Sequence, residues 1–416
     1  LFTKTDAPLI ATAAITRINV LGTFNLISTA QNPIIFTSYH DDSVGGDTNG
    51  DGAVTIPQPA DWDTLYYKDA NATGVTNLTI QYLEVRYGTN GIFYELTNAS
   101  AVRQPTFRSI VFDTNKNGLR LKAVPNQPAS RMVPTIDSCS FFNNGIIPQD
   151  KTQTEPGVPI FLENVVQPVY LNNTFTGNLH PAIGVAGVWR SDAIWTKVNG
   201  DGLTPMPYLV HGDTQFGNMT NSVHDDNLTL TIPESSIIKF NVNKYDLVNY
   251  TSRLTVAGIL NLESSAGHEI VFTSYFDSQY GGSTSSEPFA PAVQDWGDII
   301  IRHPDSEIHD IRVRYGDKGL HLQSNESAVI DGLDQGIVHS TFEYNEYGVY
   351  LDIQNNANIT PLIENDVFTG NSYGIGTFAK NTLGSTTKAT GMSLPVIRLT
   401  TISQSTQFPI YLNGSA

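Results

Sequence analysis

Short apolar runs alternate with polar loops along the whole chain. Runs rich in β-branched and aromatic residues, such as residues 34–37 and 299–301, recur at roughly the 8–12-residue spacing that is typical of all-β proteins. We find no long segment with the 3.6-residue period of an amphipathic helix. The pattern therefore predicts an all-β fold made of short strands.

A longer period runs through these strands. Five phenylalanines are each followed three residues later by asparagine, and a glycine with an aliphatic neighbour often comes next, as in Gly118-Leu119, Gly145-Ile146, Gly348-Val349 and Gly374-Ile375. The five pairs are Phe112/Asn115, Phe141/Asn144, Phe175/Asn178, Phe342/Asn345 and Phe368/Asn371. Phe112 and Phe141 are 29 residues apart, and Phe342 and Phe368 are 26 apart. Such spacings suit one turn of a parallel β-helix.

The motif has a physical interpretation in that fold. Phenylalanine and isoleucine would stack inward in columns, asparagine would hydrogen-bond the backbone at the bends, and glycine would take conformations that other residues resist. An array of β-sandwiches is the alternative fold. It would not naturally produce the Phe-x-x-Asn…Gly pattern, so we expect a right-handed parallel β-helix solenoid.

The chain also contains two long copies of one unit. Residues 17–39 align without gaps on residues 253–275. Further matches follow: Gly45-Gly46 with Gly281-Gly282, Asp61-Trp62 with Asp295-Trp296, and Val85-Arg86-Tyr87-Gly88 with Val313-Arg314-Tyr315-Gly316. We therefore predict a first β-helix unit over residues 1–200 with an acidic loop at 40–63. Connecting coils follow at 201–252, and a second homologous unit at 253–416, in one continuous solenoid.

Two segments of the second copy resemble a known family. Residues 254–260 (Leu-Thr-Val-Ala-Gly-Ile-Leu) with 269–274 (Glu-Ile-Val-Phe-Thr-Ser), and residues 230–240 before them, resemble the right-handed parallel β-helix segments of large secreted prokaryotic cell-surface proteins. Those segments belong to the pectin-lyase-like superfamily. The resemblance implies the solenoid fold far more than an activity, because many activities share it.

The two ends suggest that the chain continues. The sequence starts just before the first coil, and residues 410–413 resemble residues 169–172, which lie part-way through the first copy. Natural solenoid ends need caps. We therefore expect more chain, a membrane-anchoring module or a neighbouring subunit. No stretch reaches the roughly 18–20 apolar residues of a membrane span.

Composition narrows the classes of function. The chain has 40 acidic against 23 basic side chains, a net charge of −17, which argues against a nucleic-acid partner. The single cysteine, Cys139, excludes a disulfide scaffold and any cysteine-based zinc site, and we expect it in the core. Richness in Asn, Thr, Ser, Gly and Tyr favours an extracellular or cell-surface location.

Ten Asn-x-Ser/Thr sequences are compatible with a glycosylated surface. These candidate acceptors are Asn71, Asn77, Asn98, Asn172, Asn218, Asn227, Asn249, Asn325, Asn358 and Asn413.

The acidic loop carries the candidate metal site. Asp47-x-Asn49-x-Asp51-Gly52 places oxygen ligands at alternating positions before a glycine turn, the spacing of a calcium loop. Gln58 stands where an EF-hand has its bidentate Glu. We therefore predict Ca²⁺ held by Asp47, Asn49 and Asp51 with Asp41 and Asp42, or with Asp61 or Asp63, and the alternative is a solvated acidic turn.

The second copy lacks this pattern. It retains Asp277 and Gly281-Gly282 but has Ser283-Thr-Ser-Ser-Glu287 in place of the alternating acids, so ion binding there is not expected. Asn199-Gly200-Asp201-Gly202 is shorter and predicts a turn.

Enzymes with a β-helix fold are the competing class. The hydrolases use paired carboxylates, but the chain has no Asn-Thr-Asp, Gly-His-Gly or Arg-Ile-Lys block, and His224-Asp225-Asp226 reads as a loop. A lyase would use Arg86, Arg312 or Arg314 as a base beside Ca²⁺. Because Arg86 and Arg314 recur in both copies, we expect structural roles. No catalytic residue is predicted.

Aromatic residues suggest a binding surface. Outward-facing tyrosines would form a platform for sugars or a protein, although alternation should turn about half of them toward the core. The candidates are Tyr82, Tyr87, Phe93, Tyr94, Tyr315, Tyr344, Tyr347 and Tyr350.

These features favour a non-catalytic structural or adhesive protein of a surface layer, sheath, filament or adhesin stalk. Its partners would be further copies of itself, other surface proteins or polysaccharides. The alternative is a carbohydrate-active enzyme, lyase or hydrolase, or a sugar-binding module. Ice binding would need regular Thr-x-Thr ladders, and the chain has only isolated cases such as Thr229-Leu-Thr231.

Overall fold

The structure is a computed structural model that describes residues 16–22, 24–70, 78–145, 157–218, 227–242, 252–285, 288–325, 336–354, 358–380 and 395–414. These residues form β-strands and no helix. In particular, the described part contains no helix that is long and apolar enough to cross a membrane.

Two compact units are distinguished. The first comprises Leu1–Gly184, Val198–Met206 and Thr284–Ser286, and the second comprises Val185–Lys197, Pro207–Ser283 and Glu287–Ala416. The unit boundaries that we predicted from the sequence, at residues 200 and 252, remain predictions.

The first unit stacks its strands in parallel columns. Its strands are β1 (Ile18–Val20), β2 (Ile34–Phe36), β3 (Leu65–Asp69), β4 (Thr79–Gln81), β5 (Leu83–Arg86), β6 (Asn90–Leu96), β7 (Val102–Arg103), β8 (Thr106–Arg108), β9 (Val111–Asp113), β10 (Asn117–Lys122), β11 (Arg131–Met132), β12 (Thr135–Asp137), β13 (Ser140–Phe142), β14 (Ile160–Glu163), β15 (Val169–Leu171) and β16 (Thr174–Thr176). The columns run β1-β3-β6-β10-β14, β2-β5-β9-β13-β16 and β4-β8-β12-β15, with β7 paired to β11. Each coil thus adds one strand to each of three sheets.

The second unit repeats this plan. After β17 (Ile183–Trp189), its strands are β18 (Ala193–Ile194), β19 (Tyr208–Phe216), β20 (Thr229–Pro233), β21 (Ile237–Phe240), β22 (Arg253–Val256), β23 (Ile259–Glu263), β24 (Ile270–Ser274), β25 (Trp296–Ile301), β26 (Ile308–His309), β27 (Ile311–Arg314), β28 (Gly316–Asn325), β29 (Ile337–Val338), β30 (Thr341–Glu343), β31 (Tyr347–Gln354), β32 (Leu362–Glu364), β33 (Val367–Thr369), β34 (Tyr373–Lys380), β35 (Val396–Arg398), β36 (Thr401–Ser403) and β37 (Phe408–Gly414). Its two long columns are β19-β22-β25-β28-β31-β34-β37 and β21-β24-β27-β30-β33-β36. Shorter columns are β18-β20-β23 and β26-β29-β32-β35. The predicted all-β parallel solenoid is confirmed.

The predicted aromatic columns form the core of each unit. The rings of Phe112 and Phe141 stack with centroids 4.9 Å apart, and Phe141 stacks on Phe175 at the same distance. In the second unit the rings of Phe342 and Phe368 are 4.8 Å apart. Because parallel pairing places equivalent residues of adjacent coils side by side, a period of one coil in the sequence becomes a column in the core.

The motif asparagines form buried ladders at the bends, as predicted. Asn144 donates from Nδ2 to the carbonyl oxygen of Phe112 at 3.0 Å, and its Oδ1 accepts the amide of Asn115 at 3.1 Å. Asn178 repeats these bonds one coil further on, to Phe141 and Asn144. The ladder therefore satisfies backbone groups that the bend would otherwise bury without partners.

The motif glycines act differently from the prediction. Gly145 has a φ of 114°, but Gly118, Gly348 and Gly374 do not have a positive φ. A Cβ atom on Gly118 would lie 2.6 Å from the carbonyl oxygen of Pro159 and 2.9 Å from the Phe141 ring. Glycine is needed there because the next coil and the phenylalanine column approach too closely for any side chain.

Non-glycine residues take the left-handed conformation at the regular bends. In the first unit they are Tyr82, Ser109, Ser138 and Asn172 at one bend and Tyr87, Thr114 and Asn143 at the next. Their φ values lie between 51° and 59°. The regular hydrogen bonding of the stacked coils therefore holds a conformation that these residues rarely adopt.

One buried aspartate, Asp366, lies outside the asparagine ladder, directly before strand β33. Asp366 accepts the amide of Ser340 at 2.7 Å, while its other oxygen has no hydrogen-bond partner. Burial raises the pKa of Asp366 to about 7. The equivalent position before strand β16 of the first unit is Asn173, which accepts the amide of Cys139 at 2.9 Å and donates to the carbonyl oxygen of Ile136 at 2.8 Å.

Asp366→Asn is therefore expected to stabilise the protein at neutral pH by about 1–3 kcal/mol, because an amide needs no costly buried charge and can donate a hydrogen bond. Since the folded-state pKa of Asp366 lies above the ordinary 3.8, its stabilising contribution is present at acidic pH and is lost as the pH rises toward 7. Denaturant unfolding should show a large gain at pH 8 and a small one at pH 4. Equal gains at both pH values would contradict this assignment.

Candidate functional site

Three carboxylates converge in the acidic loop that follows β2. Ligand oxygens of Asp42, Asp47 and Asp51 all lie within 4.8 Å of one another. Asp47 accepts the amides of Gly50 and Gly52 at 2.7 and 2.9 Å, so the loop folds around that side chain. The structure therefore brings together three of the four carboxylates predicted as calcium ligands.

The charges of this cluster are only partly compensated within the loop. Burial, followed by the negative charges of Asp47 and Asp51, raises the pKa of Asp42, and Asp42 Oδ1 has no hydrogen-bond partner. Hydrogen bonds from Thr55 lower the pKa of Asp51. Three hard oxygen donors close to one another, one of them unsatisfied, fit the preferences of Ca²⁺.

The other two predicted ligands have different surroundings. Asn49 accepts the amide of Asp51 at 3.2 Å and donates to its carboxylate at 3.0 Å, which shapes the loop. Asp41 is buried and accepts hydrogen bonds from Ser43 and Thr37, each at 2.5 Å. Burial acts to raise the pKa of Asp41, but these bonds hold it below its ordinary value.

The second copy shows that Asp41 belongs to the base of the loop. Its counterpart Asp277 accepts a hydrogen bond from Thr273 at 2.7 Å and pairs with Arg314 at 2.8 Å, just as Asp41 pairs with Arg86 at 3.5 Å. This arrangement exists in a loop that lacks the alternating acids. The base is thus common to both copies, and the cluster of three carboxylates belongs to the first copy's loop.

A second anchor of the base is also duplicated. Ser38 donates to Asp61 at 2.6 Å, and Ser274 donates to Asp295 at the same distance. The neighbouring indoles repeat as well, since Trp62 donates to the carbonyl oxygen of Arg86 at 2.7 Å and Trp296 to that of Arg314 at 2.8 Å. Asp61 therefore caps the loop instead of joining the three converging carboxylates.

The arginines considered as lyase bases lie in ion pairs. Arg86 pairs with Glu84 as well as Asp41, and Arg312 contacts Glu269 at 2.9 Å and Glu343 at 2.5 Å. The Nε atom of Arg314 lies 2.9 Å from Glu343. Of these carboxylates, Glu343 lies on the neighbouring strand β30, Glu84 lies on the same strand as Arg86, and Asp41 and Glu269 lie outside the strands. Guanidinium groups held in this way are poorly suited to accepting a proton.

The sequence analysis did not identify the buried basic side chains of Lys239 and His321. Lys239 is fully buried and donates from Nζ to the carbonyl oxygens of Asp277 and Gly282 at 2.8 and 2.7 Å, and burial lowers its pKa to about 7. His321 lies between Asp298, at 2.7 Å, and Asp352, at 3.5 Å. Burial opposes its protonation, but these carboxylates raise the pKa of His321.

The candidate aromatic residues divide between core and surface. Tyr94 is buried, whereas Phe93 beside it faces outward under the guanidinium of Arg120 at 5.0 Å. In the second unit, Tyr347 and Tyr373 stack 4.6 Å apart, and Tyr315 stacks on Tyr344 at 5.7 Å. Because such rings cover each other's faces, they present edges and hydroxyl groups to solvent.

Three further predictions concern the cysteine, the turn at residues 199–202 and the loop at residues 224–226. Cys139 is fully buried as predicted, and burial raises its pKa to about 12. The predicted turn at residues 199–202 is confirmed, and Asp201 there accepts a hydrogen bond from Asn178 at 2.8 Å. The loop of residues 224–226 lies outside the described residues.

The candidate glycosylation acceptors differ in exposure. Asn172, Asn227 and Asn413 are exposed, and Asn98, Asn218 and Asn358 are half-buried. Asn71, Asn77 and Asn249 lie outside the described residues, as does the side chain of Asn325. The three exposed asparagines are therefore the most accessible described acceptors.

Comparison with models of protein families, with curated proteins and with solved structures finds no match to this chain.

Proposed function

We propose that this chain is a non-catalytic extracellular structural or adhesive protein, part of a surface layer, sheath, filament or adhesin stalk, similar to the solenoid segments of prokaryotic surface proteins. Its partners would be further copies, other surface proteins or polysaccharides. The observation that carries this proposal is the pairing of outward-facing side chains from coil to coil.

That pairing is clearest on the outer face of the first unit, where Tyr66 and Phe161 are buried among their neighbours. Arg17 lies over Tyr66 at 5.0 Å, Tyr66 stacks on Phe93 at 5.1 Å, and Arg120 lies between the rings of Phe93 and Phe161. A second outward row joins Lys122 to Glu95 at 3.2 Å. Side chains that stack and pair in this way link each coil to the next, which suits a protein that bears load.

A glycan-binding role is the second candidate, with a polysaccharide lyase or hydrolase as its catalytic form. The supporting observation is the cluster of half-exposed aromatic rings on β31, β34 and β37, where Tyr373 lies 5.1 Å from Tyr411 and 6.2 Å from Phe408. Aromatic edges with hydroxyl groups can contact sugars.

Two measurements separate these candidates. Electron microscopy of the native material should show filaments or a lattice if the protein is structural. A panel of acidic and neutral polysaccharides should then yield no new reducing ends and no unsaturated products. Dispersed monomers together with turnover on any polysaccharide would overturn the structural proposal.

We propose that Ca²⁺ binds to the carboxylates of Asp42, Asp47 and Asp51. Adding Ca²⁺ to metal-free protein is expected to raise the melting temperature, since a ligand of the folded state at about 100 times its Kd stabilises by about 2.7 kcal/mol. Asp42→Asn should abolish most of this increase in melting temperature. Asp42 Oδ1 makes no hydrogen bond in the loop, so we expect this oxygen to bind the ion.

The control is Asp305→Asn, which removes an exposed carboxylate far along the chain and should leave the calcium response unchanged. Identical melting curves in excess chelator and in Ca²⁺ would contradict calcium binding.

A further inference from the structure

A buried histidine lies between neighbouring coils of the second unit. His321 is on β28, and the strand register places it beside Ile300 of β25 and Tyr350 of β31. Its side chain belongs to the outer face of the sheet, because the adjacent residues Leu320 and Leu322 are fully buried in the core. Even so, only 5% of His321 is exposed. A titratable ring is thus enclosed at a contact between coils.

Each ring nitrogen of His321 faces a carboxylate from an adjacent coil. Nδ1 lies 2.7 Å from Oδ2 of Asp298 on β25, and Nε2 lies 3.5 Å from Oδ2 of Asp352 on β31. Both carboxylates belong to buried residues. A protonated imidazole donates from both nitrogens, so it serves both carboxylates at once. We call Asp298, His321 and Asp352 the His321 clamp.

The neutral ring satisfies only one of these carboxylates. A neutral imidazole has one N–H group and one lone pair. With its hydrogen on Nδ1, which bonds Asp298, the lone pair of Nε2 faces the carboxylate of Asp352. Leaving a buried carboxylate without its donor is costly. Loss of the proton therefore weakens the contact between β28 and β31.

The Asp298 carboxylate has further cationic neighbours. Nε of Arg253 on β22 lies 3.3 Å from Asp298 Oδ1, and Lys318 on β28, which pairs with Asp317 at 2.8 Å, adds a weaker attraction. Burial acts to raise the pKa of Asp298, but the hydrogen bond and charge of His321, together with these cations, lower it. Asp298 is therefore ionised in the pH range in which an imidazole titrates.

Other groups around Asp352 do not titrate in that range. Gln323 donates to Asp352 Oδ2 at 3.3 Å and accepts from Arg302 of β25 at 2.9 Å. The ring of Tyr350 lies 5.3 Å from that of His321, and burial raises the pKa of this phenol. Near neutral pH the amide is uncharged, the phenol is neutral and the guanidinium is charged. His321 is therefore the group of this cluster that changes its charge.

The first copy fills the same register with a ring that does not titrate. Strand β6 corresponds to β28, and the paired registers place Phe93 where β28 has His321. Phe93 stacks on Tyr66 and lies under the guanidinium of Arg120. These three side chains keep their charge states near neutral pH. A proton-dependent contact at this position thus belongs to the second copy.

We propose that the His321 clamp is a pH-sensitive switch: the proton on His321 holds β25, β28 and β31 together on their outer face, and its loss at alkaline pH loosens that face. Burial opposes protonation, but the hydrogen bonds and charges of Asp298 and Asp352 raise the pKa of His321 above its ordinary 6.5. The stabilisation is therefore fully present below pH 6.5 and is lost as the pH rises through the folded-state pKa. This inference does not depend on the structural role proposed above.

Denaturant unfolding of the full chain at pH 5 and pH 9 tests the switch. The ratio of folding equilibrium constants, parent chain over His321→Gln, should fall about tenfold or more from pH 5 to pH 9, since one pH unit between the folded and ordinary pKa values corresponds to a factor of about ten. The control is His268→Gln, which removes an exposed ring that bonds Ser235 at 3.3 Å, and its ratio should be equal at both pH values. A ratio for His321→Gln that does not change with pH would overturn the proposal.

An NMR titration keeps the test decisive even if His321→Gln impairs folding. The imidazole of His321 in the parent chain should titrate with a midpoint above 6.5, and Asp352→Asn should lower that midpoint by about 1 pH unit. Hydrogen-exchange protection factors of the β28 amides should fall between pH 5 and pH 9. A midpoint at or below 6.5, or protection factors that are the same at both pH values, would contradict the switch.

Discussion

Phe141→Ala is expected to lower the free energy of unfolding by about 3–5 kcal/mol. Phe141 is fully buried between Phe112 and Phe175, with interplanar angles of 11° and 7° to the two rings. The stacked coils are held in place by their hydrogen-bonded sheets, so the column cannot collapse into the space that the ring leaves. The loss therefore includes both the transfer of apolar surface and the cavity. Denaturant-induced unfolding, followed by near-UV circular dichroism, measures it.

Phe142→Ala is the matched control. Phe142 lies on the same strand β13 but on its outer face, where it is half-buried. Its truncation should cost about 1 kcal/mol, the centre of the range for point substitutions in general. Similar losses for the two variants would mean that the phenylalanine column does not dominate the core.

Asn345→Ala is expected to destabilise the second unit by about 2–6 kcal/mol, because two buried backbone groups lose their partners at about 1–3 kcal/mol each. Asn345 Oδ1 accepts the amide of Gly316 at 2.8 Å, and Nδ2 donates to the carbonyl oxygen of Val313 at 3.0 Å. Its Nδ2 also bonds Asn371 at 3.0 Å, so the defect extends along the ladder. Hydrogen exchange should show reduced protection of the Gly316 amide in particular.

Asn261→Ala provides the comparison for this loss. Asn261 lies on β23, is half-buried, and makes one long side-chain bond to Thr231 at 3.4 Å. We expect a change within about 0.5–1 kcal/mol and unchanged exchange at Gly316. A stability of Asn345→Ala equal to that of Asn261→Ala would show that the ladder contributes little.

Sequence patterns predicted the architecture because each coil leaves a periodic trace in the chain. Phe112, Phe141 and Phe175 recur once per coil, and parallel pairing converts that recurrence into contact. The asparagine ladder follows from the same logic, since Asn144 and Asn178 occupy equivalent bends. The role predicted for Gly118 was wrong, because a single sequence shows that a glycine is present but not how closely the next coil approaches it.

The acidic loop was predictable in composition and only partly in geometry. The sequence predicted Asp41 and Asp42 as ligands beside Asp47 and Asp51, and of those two the structure places the carboxylate of Asp42 with the pair. Asp41 is adjacent in sequence, yet it faces Thr37 and Arg86. Comparison with Asp277 identifies that role, because the second copy preserves the base of the loop without the cluster.

The sequence by itself determined the strand content, the coil period, the duplication and the columns that fill the core. These features depend on periodicities of two residues and of one coil, which the amino-acid sequence shows directly. Only the tertiary structure decided which charged groups meet, as where His321 lies between Asp298 and Asp352, or where Lys239 reaches the Asp277 loop. The physical reason is that coils differ in length through their loops, so residues at unequal separations in sequence meet only once the register of the parallel strands is set.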